Sequence, residues 1–433
     1  MYSNDSIVDL INSDNIPLNK EAIDIDALLK MIGDARFVLI GEATHGTQEF
    51  YALRSQLTKH LITEKNFNGV AIEWDWPDAY LAHRYGSGSK EVARIEQALA
   101  GFTRFPAWMW RNEPTREFLQ WLRIHNQCPL EAQHKVCFYG LDLYSLYASI
   151  GVVIDYLEQV DPQAAQRARN RYSCLDNNLE QDPQNYGYKA ALGLTKNCAE
   201  EVIKALQDLY NHALDYRTRP DSQAAKQDYF NIYQNAELIK NAELYYRSLF
   251  SNELSSWNIR DQHMAQVIEN MESSYREEVG YPPKFVIWAH NSHIGDARAA
   301  EKSNYGEVTL GQLLEERYSG QVFKLGFTTY SGTVTAADDW GSPGYVKTIN
   351  PAVPHSYEDL FHQCKAKDFI LDMRCLRKHD LITLEPRLHR AIGVVYRPQT
   401  ERQSHYYYTV LPHQYDGVIH LDQTTSLTPL EPQ

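Results

Sequence analysis

No apolar run in this 433-residue chain approaches the roughly 20 residues that a bilayer-spanning helix needs. The opening Met1-Tyr-Ser-Asn-Asp-Ser lacks a basic run followed by an apolar stretch, so no secretory signal is read there. Basic charge is also short: 42 Lys and Arg against 56 Asp and Glu leave a formal net charge of -14. Phosphate binding needs clustered Lys and Arg, and no basic stripe offsets the acidity, so nucleic acid is excluded as the expected partner and a membrane likewise. Cysteine is sparse. The six (Cys128, Cys137, Cys174, Cys198, Cys364, Cys375) are scattered, with no C-x-x-C pair. Neither a zinc knuckle nor a disulfide framework is indicated, and a reduced, cytoplasmic setting is the expectation.

The common signatures of catalysis are missing as well. There is no G-x-S-x-G nucleophile elbow, no H-E-x-x-H zinc helix, no G-x-x-x-x-G-K-[ST] loop and no G-x-G-x-x-G turn. Serine esterase, zincin, kinase and dinucleotide enzyme are therefore disfavoured. Aromatics, by contrast, are plentiful, with 29 Tyr and 8 Trp. Such side chains join an apolar face to a hydrogen-bonding tip and suit a large organic ligand, but equally an aromatic-rich core.

Short apolar runs read as buried strands: Phe37-Val-Leu-Ile, Val70-Ala-Ile and Val136-Cys-Phe-Tyr. After the first of them, Phe50, Leu53, Leu57 and Leu61 recur at helical spacing. Strand, helix, strand implies a parallel sheet with helices packed on it. From about Ser145 to Met271 the strand signal disappears and four helical stripes take its place, the first through Leu146, Val153 and Leu157. A polar loop is read at Asp176-Asn-Asn-Leu-Glu-Gln-Asp-Pro-Gln-Asn. Strands resume at Phe285-Val-Ile-Trp-Ala, Val322-Phe-Lys-Leu-Gly-Phe, Phe369-Ile-Leu, Gly393-Val-Val-Tyr, Tyr406-Tyr-Tyr-Thr-Val and Gly417-Val-Ile-His-Leu, some of them expected to be antiparallel. Thr425 to Gln433 reads as a loose tail. The organisation expected is one domain over 1–433, with a sheet core at 30–145 and 280–425 and a helical insertion at 146–275. The fold class is α/β: a central mixed, largely parallel sheet flanked by helices.

The residues just past each strand carry the informative pattern. Ile40 leads into Gly41-Glu42-Ala-Thr-His45-Gly46, Ile72 into Glu73, Leu141 into Asp142, and Ala289 into His290-Asn-Ser-His293. In an open α/β sheet the carboxyl ends of the strands border the ligand crevice, so four segments would converge on one place. A lone His at a strand end is usually just a satisfied hydrogen-bonding residue, but four charged segments together outweigh that reading, because burying unused charge is costly. The loop glycines permit a tight turn, and the Thr47 hydroxyl is expected to cap the next helix. His290-x-x-His293 could hold a metal with Glu42 or Glu73, although i,i+3 histidines in a loop are a weak metal signal.

At these same residues the chain resembles the erythromycin esterase family. The likeness lies in Leu39-Ile-Gly-Glu-Ala-Thr-His-Gly-Thr-Gln-Glu-Phe-Tyr with Arg54, Ala71-Ile-Glu73, Phe105-Pro-Ala-Trp-Met-Trp-Arg-Asn, Phe138-Tyr-Gly-Leu-Asp142, Arg260-Asp-Gln-His-Met, Trp288-Ala-His-Asn-Ser-His-Ile-Gly and Tyr415-Asp-Gly-Val-Ile-His. The resemblance implies hydrolysis of a small-molecule ester, in the best-known members a macrolide lactone, without a covalent serine intermediate. It implies His45 as general base, with Glu42, Arg54, Glu73, Arg260, His290 and His293 completing the polar site. Phe105, Trp108 and Met109 would contact substrate, and neither cofactor nor metal is expected. Two other readings compete: a metal-assisted hydrolase using His290, His293 and a glutamate, and a binding protein that keeps the cleft without efficient chemistry.

Overall fold

The computed structural model describes residues 4–19, 24–128, 135–175, 182–218, 222–251, 255–383 and 385–431. Its strands are β1 (Ile16–Pro17), β2 (Phe37–Ile40), β3 (Gly69–Asp75), β4 (Cys137–Asp142), β5 (Phe285–Trp288), β6 (Val322–Ala336), β7 (Tyr345–Ile349), β8 (Asp368–Asp372), β9 (Arg387–Arg390), β10 (Tyr406–Thr409) and β11 (Gly417–Thr424). Nine of these form one sheet in the order β1-β8-β11-β6-β2-β5-β3-β4, with β7 added on β6, while β9 and β10 pair separately. The chain gathers into two compact units. One comprises Met1–Ile72, Ala82–Phe138 and Pro282–Gln433; the other comprises Glu73–Leu81 and Tyr139–Tyr281.

In the first unit the central pairs β11/β6, β6/β2, β2/β5 and β5/β3 are all parallel. Every residue of β2 and β5 is buried, as expected of strands covered on both faces. The mixed character comes from the margins, where β1/β8, β8/β11 and β6/β7 are antiparallel. The helix after β2 spans Gln48–Lys65 and stops at Asn66, whose φ of 56° is left-handed. Its buried face carries Phe50, Arg54, Leu57 and Leu61, so an arginine occupies the stripe where Leu53 was expected. Thr47 stands at the N-cap, yet its hydroxyl bonds Thr44 instead of capping the helix.

The second unit is helical. Its longest members are Ser222–Ser248 and Ser256–Val279, joined by Leu146–Val160, Pro162–Tyr172, Pro183–Ala191 and Ala199–Asn211. Among the described residues no helix is long and apolar enough to cross a membrane. Glu73 and Asp142 lie within β3 and β4 rather than past their ends, because both strands run on beyond their apolar segments.

Several expectations are corrected. Cys174 and Cys198 are joined as a disulfide, a pairing their 24-residue separation in a scattered set did not reveal. The expected polar loop falls partly on residues 176–181, outside the described residues. Its last three residues instead open the helix Pro183–Ala191, where the Asp182 side chain accepts the Gln184 N–H. Gly393–Tyr396 is no strand: Ile392 and Val395 make single bridges to Thr44 and Ala337, while Ile392 and Tyr396 pack with Val334, Ala336 and Ile349. The C-terminal segment is docked rather than loose. Leu427 is buried and donates its N–H to the Gly46 carbonyl, and Leu430 donates to the Arg111 carbonyl.

Candidate active site

In the first unit the loop after β2 is held against its neighbours by backbone. Gly41 donates to the Leu325 carbonyl of β6 at 2.8 Å, and a Cβ there would lie 2.1 Å from Asn291 Oδ1. At Gly46 a Cβ would lie 1.9 Å from the Thr335 carbonyl. Both glycines therefore serve close approach. Asn291, just past β5, fastens the arrangement. Its backbone N–H reaches the Glu42 carbonyl at 2.9 Å, and its side chain donates to the Phe327 carbonyl and accepts the Phe327 N–H. Its own carbonyl accepts the Tyr415 hydroxyl at 3.0 Å. An asparagine beside two histidines carries no local sign of this fastening role, which depends on β6 and on Tyr415.

Between the two glycines, Glu42 and His45 form a buried pair: His45 Nδ1 lies 3.0 Å from Glu42 Oε1. A carboxylate accepting from Nδ1–H selects the tautomer whose lone pair is on Nε2, as a general base requires. Arg54 Nη1 stands 3.5 Å from the same Glu42 oxygen, while its guanidinium lies against the rings of Tyr51, Trp110 and Trp288 at 4.4, 5.5 and 5.1 Å. Tyr51 in turn donates its hydroxyl to the His45 carbonyl at 3.0 Å. Burial, and next the nearby Glu42 charge, push the Tyr51 hydroxyl well above its ordinary pKa, so it stays a neutral donor.

His290 is close, its ring centroid 4.7 Å from that of His45. Its Nδ1 accepts the Ser292 N–H at 3.2 Å and lies 2.8 Å from Ser292 Oγ, which leaves Nε2–H to donate to the Ile392 carbonyl at 3.1 Å. Both ring nitrogens thus hold loops together. His293 is buried in the short helix Asn291–Ile294. Among the described residues, neither histidine belongs to any set of three His, Cys, Asp or Glu side chains with donor atoms within 4.8 Å of one another. The metal reading built on that pair therefore finds no ligand set.

Glu73 and Arg260 lie in the second unit, where they pair. Arg260 Nη2 reaches Glu73 Oε1 and Asp142 Oδ2, both at 2.7 Å, and Nε reaches Asp142 Oδ1 at 2.9 Å. Burial works against the arginine's charge, but Asp142, Tyr144 and Glu73 together hold its pKa well above the ordinary value. Tyr144 is anchored to this network, its N–H donating to Asp75 Oδ1 and its carbonyl accepting from the Tyr246 hydroxyl. Of the residues expected to touch substrate, Phe105 is half-buried, whereas Trp108 and Met109 belong to the core.

The erythromycin esterase family profile matches residues 62–424. Erythromycin esterase type II of Escherichia coli is 23% identical over 327 residues, covering 72% of this chain and 73% of that one. A crystal structure described as a succinoglycan biosynthesis protein superposes with a TM-score of 0.76 at 23% identity, covering 98% of each chain. An erythromycin esterase mutant in its open conformation gives 0.67 at 17% identity over 97% of this chain and 99% of that one. These solved structures share the mixed, largely parallel sheet flanked by helices. The chain belongs to the erythromycin esterase family, a family of hydrolases.

Proposed function

We propose that this protein hydrolyses an ester by direct attack of water, with His45 as the general base. The observation that carries the reading is the buried His45–Glu42 pair at the end of β2. His45 Nε2 takes a proton from water as its oxygen bonds to the ester carbonyl carbon; the tetrahedral intermediate then collapses, and the leaving alkoxide recovers that proton. Glu42 orients the imidazole and stabilises its charged form. Arg54, one of the residues expected to complete the polar site, is assigned here to holding Glu42. Ser292 completes the turn around His290, so no acyl-enzyme is invoked.

The family likeness makes macrolide lactones one substrate class to include, alongside simple aliphatic and aryl esters. Incubation with such a panel, read by mass spectrometry, is expected to show gain of one water by at least one substrate, with no product burst equal to enzyme concentration. Activity is expected to survive exhaustive chelation and fluorophosphonate treatment. Binding without hydrolysis across the panel would favour the sequestering reading. A stoichiometric burst with labelled Ser292 would replace direct attack with an acyl-enzyme route.

A further inference from the structure

Three backbone carbonyls of the turn that carries His45 are held from outside the turn. That of Ala43 accepts the Ile392 N–H at 2.8 Å, and that of His45 accepts the Tyr51 hydroxyl at 3.0 Å. The carbonyl of Gly46, the residue after His45, accepts two donors. One is the Thr335 N–H of β6 at 3.0 Å; the other is the Leu427 N–H of the C-terminal segment at 2.8 Å. Thr335 closes the triangle by donating its hydroxyl to the Leu427 carbonyl at 2.6 Å. Thr335 and Leu427 are both buried, so these bonds are shielded from water. The contacts continue on either side of Leu427. Ser426 bridges Thr47 and donates its N–H to Thr333 Oγ1 at 2.9 Å. Thr425 accepts the Gln48 N–H at 2.9 Å and gives its own N–H and hydroxyl to the Glu49 carboxylate at 2.9 and 2.8 Å. Further on, Pro429 bridges Asn112, Leu430 bonds the Arg111 carbonyl, and the Arg111 guanidinium holds Glu431.

We propose that residues 425–431 are a strap that positions His45 by pinning Gly46, a role that rests on the hydrolase reading and gives the C-terminal segment a part in it. A general base must stand within roughly 0.5 Å of its productive place, and a glycine beside it restrains the backbone least of all residues. Fixing the Gly46 carbonyl from β6 and from the strap supplies the missing restraint. Thr335 and Leu427 are thus positioning residues, acting on the imidazole through the Gly46 peptide. Leu427 is the one buried side chain of the strap, so hydrogen bonds rather than a core hold most of it, and it can be removed without opening the sheet.

The test deletes residues 425–433 and adds them back as a synthetic peptide. Two readouts are taken. One is kcat and KM for p-nitrophenyl acetate. The other is the downfield proton resonance of His45 Nδ1–H, bonded to Glu42, in protein carrying isotope-labelled histidine and assigned by its absence from His45→Asn. The truncated protein is expected to lose about 10–100-fold in kcat, with KM within about twofold of wild type, and to lose the resonance. The peptide should restore both. Thr335→Val, which removes only the hydroxyl that holds the Leu427 carbonyl, should lower kcat about tenfold, and Thr335→Ser should recover it. A truncated protein with a lower thermal midpoint but wild-type kcat and resonance has lost a merely structural tail, and overturns the proposal. Should the truncated chain fail to fold, Thr335→Val decides, and wild-type values of both readouts there overturn it equally. Should the wild type cleave no ester, the hydrolase reading fails and the strap is judged by the resonance alone; an unmoved resonance refutes it.

Discussion

Arg54 is fully buried, and its three guanidinium nitrogens make no hydrogen bond among the described residues. What offsets its desolvation is the carboxylate of Glu42 on one side and three aromatic faces around it. The same cation faces Glu42 in a site without water's screening, and Glu42 in turn orients His45. Removing one partner of a buried pair strands the other charge, so Arg54→Met is expected to cost about 3–5 kcal/mol of stability. Arg54→Lys should also be damaging, since an ammonium cannot present a flat face to the rings. Urea unfolding checks both, and a loss in Arg54→Met below about 1 kcal/mol would show that the pair is not coupled in this way. Most of these residues were legible one by one, because Glu42, His45 and Arg54 stand in a motif. The support was not: Tyr51, Trp110 and Asn291 stand in the same motifs, but their supporting roles show only when the fold brings them to the pair.

At the scale of elements, strands with both faces covered were readable, since continuous apolar runs have no other use. Strands stabilised by paired charge were not. β9 is Arg387-Leu-His-Arg, and its two buried polar side chains are paired with carboxylates, His389 with Glu358 at 2.7 Å and Arg390 with Glu401 at 2.9 Å. Nor did the Thr-rich second half of β6 announce itself, because pairing with β11 and then β7 makes that strand rather than apolar content. The tail reads as loose for a similar reason: one buried leucine, a few backbone bonds and side-chain bonds such as Thr425 to the Glu49 carboxylate and Arg111 to Glu431 hold it. Leu427→Ala should therefore cost about 2–4 kcal/mol, as a buried leucine does, rather than the near-zero expected of a free end. Gly46→Ala tests the close approach to β6. A methyl cannot fit against the Thr335 carbonyl, so the loop must move, and a drop of at least about 1–3 kcal/mol is expected together with loss of turnover. Wild-type stability and rate in Gly46→Ala would show that the loop is not pinned there.

At the scale of the whole molecule, acid sensitivity arises from histidines that fold neutral. Burial pushes His83 in the first unit down to about 3 and His263 in the second down to about 4. Above about pH 6.5 both are neutral folded or unfolded, and their contribution is fully present. As the pH falls below that value the unfolded chain takes up protons the folded chain refuses, so stability declines until the folded pKa values are reached. Each group adds up to about 1.4 kcal/mol per pH unit to that decline. The urea midpoint should fall between about pH 6.5 and 4.5, and His263→Gln should flatten the slope; an unchanged slope would contradict the assignment. Legibility divides between local and distant chemistry. The sheet, the helical segment and the charged loops could be read because period and strand-end chemistry are local, whereas the pairing of Arg260 with Glu73 and Asp142 joins residues distant in sequence. The central claim concerns a single nitrogen. On an ester the wild type hydrolyses, His45→Asn should still fold cooperatively and lose about 10²–10⁴-fold in kcat. Near-normal turnover in folded His45→Asn protein would contradict the account.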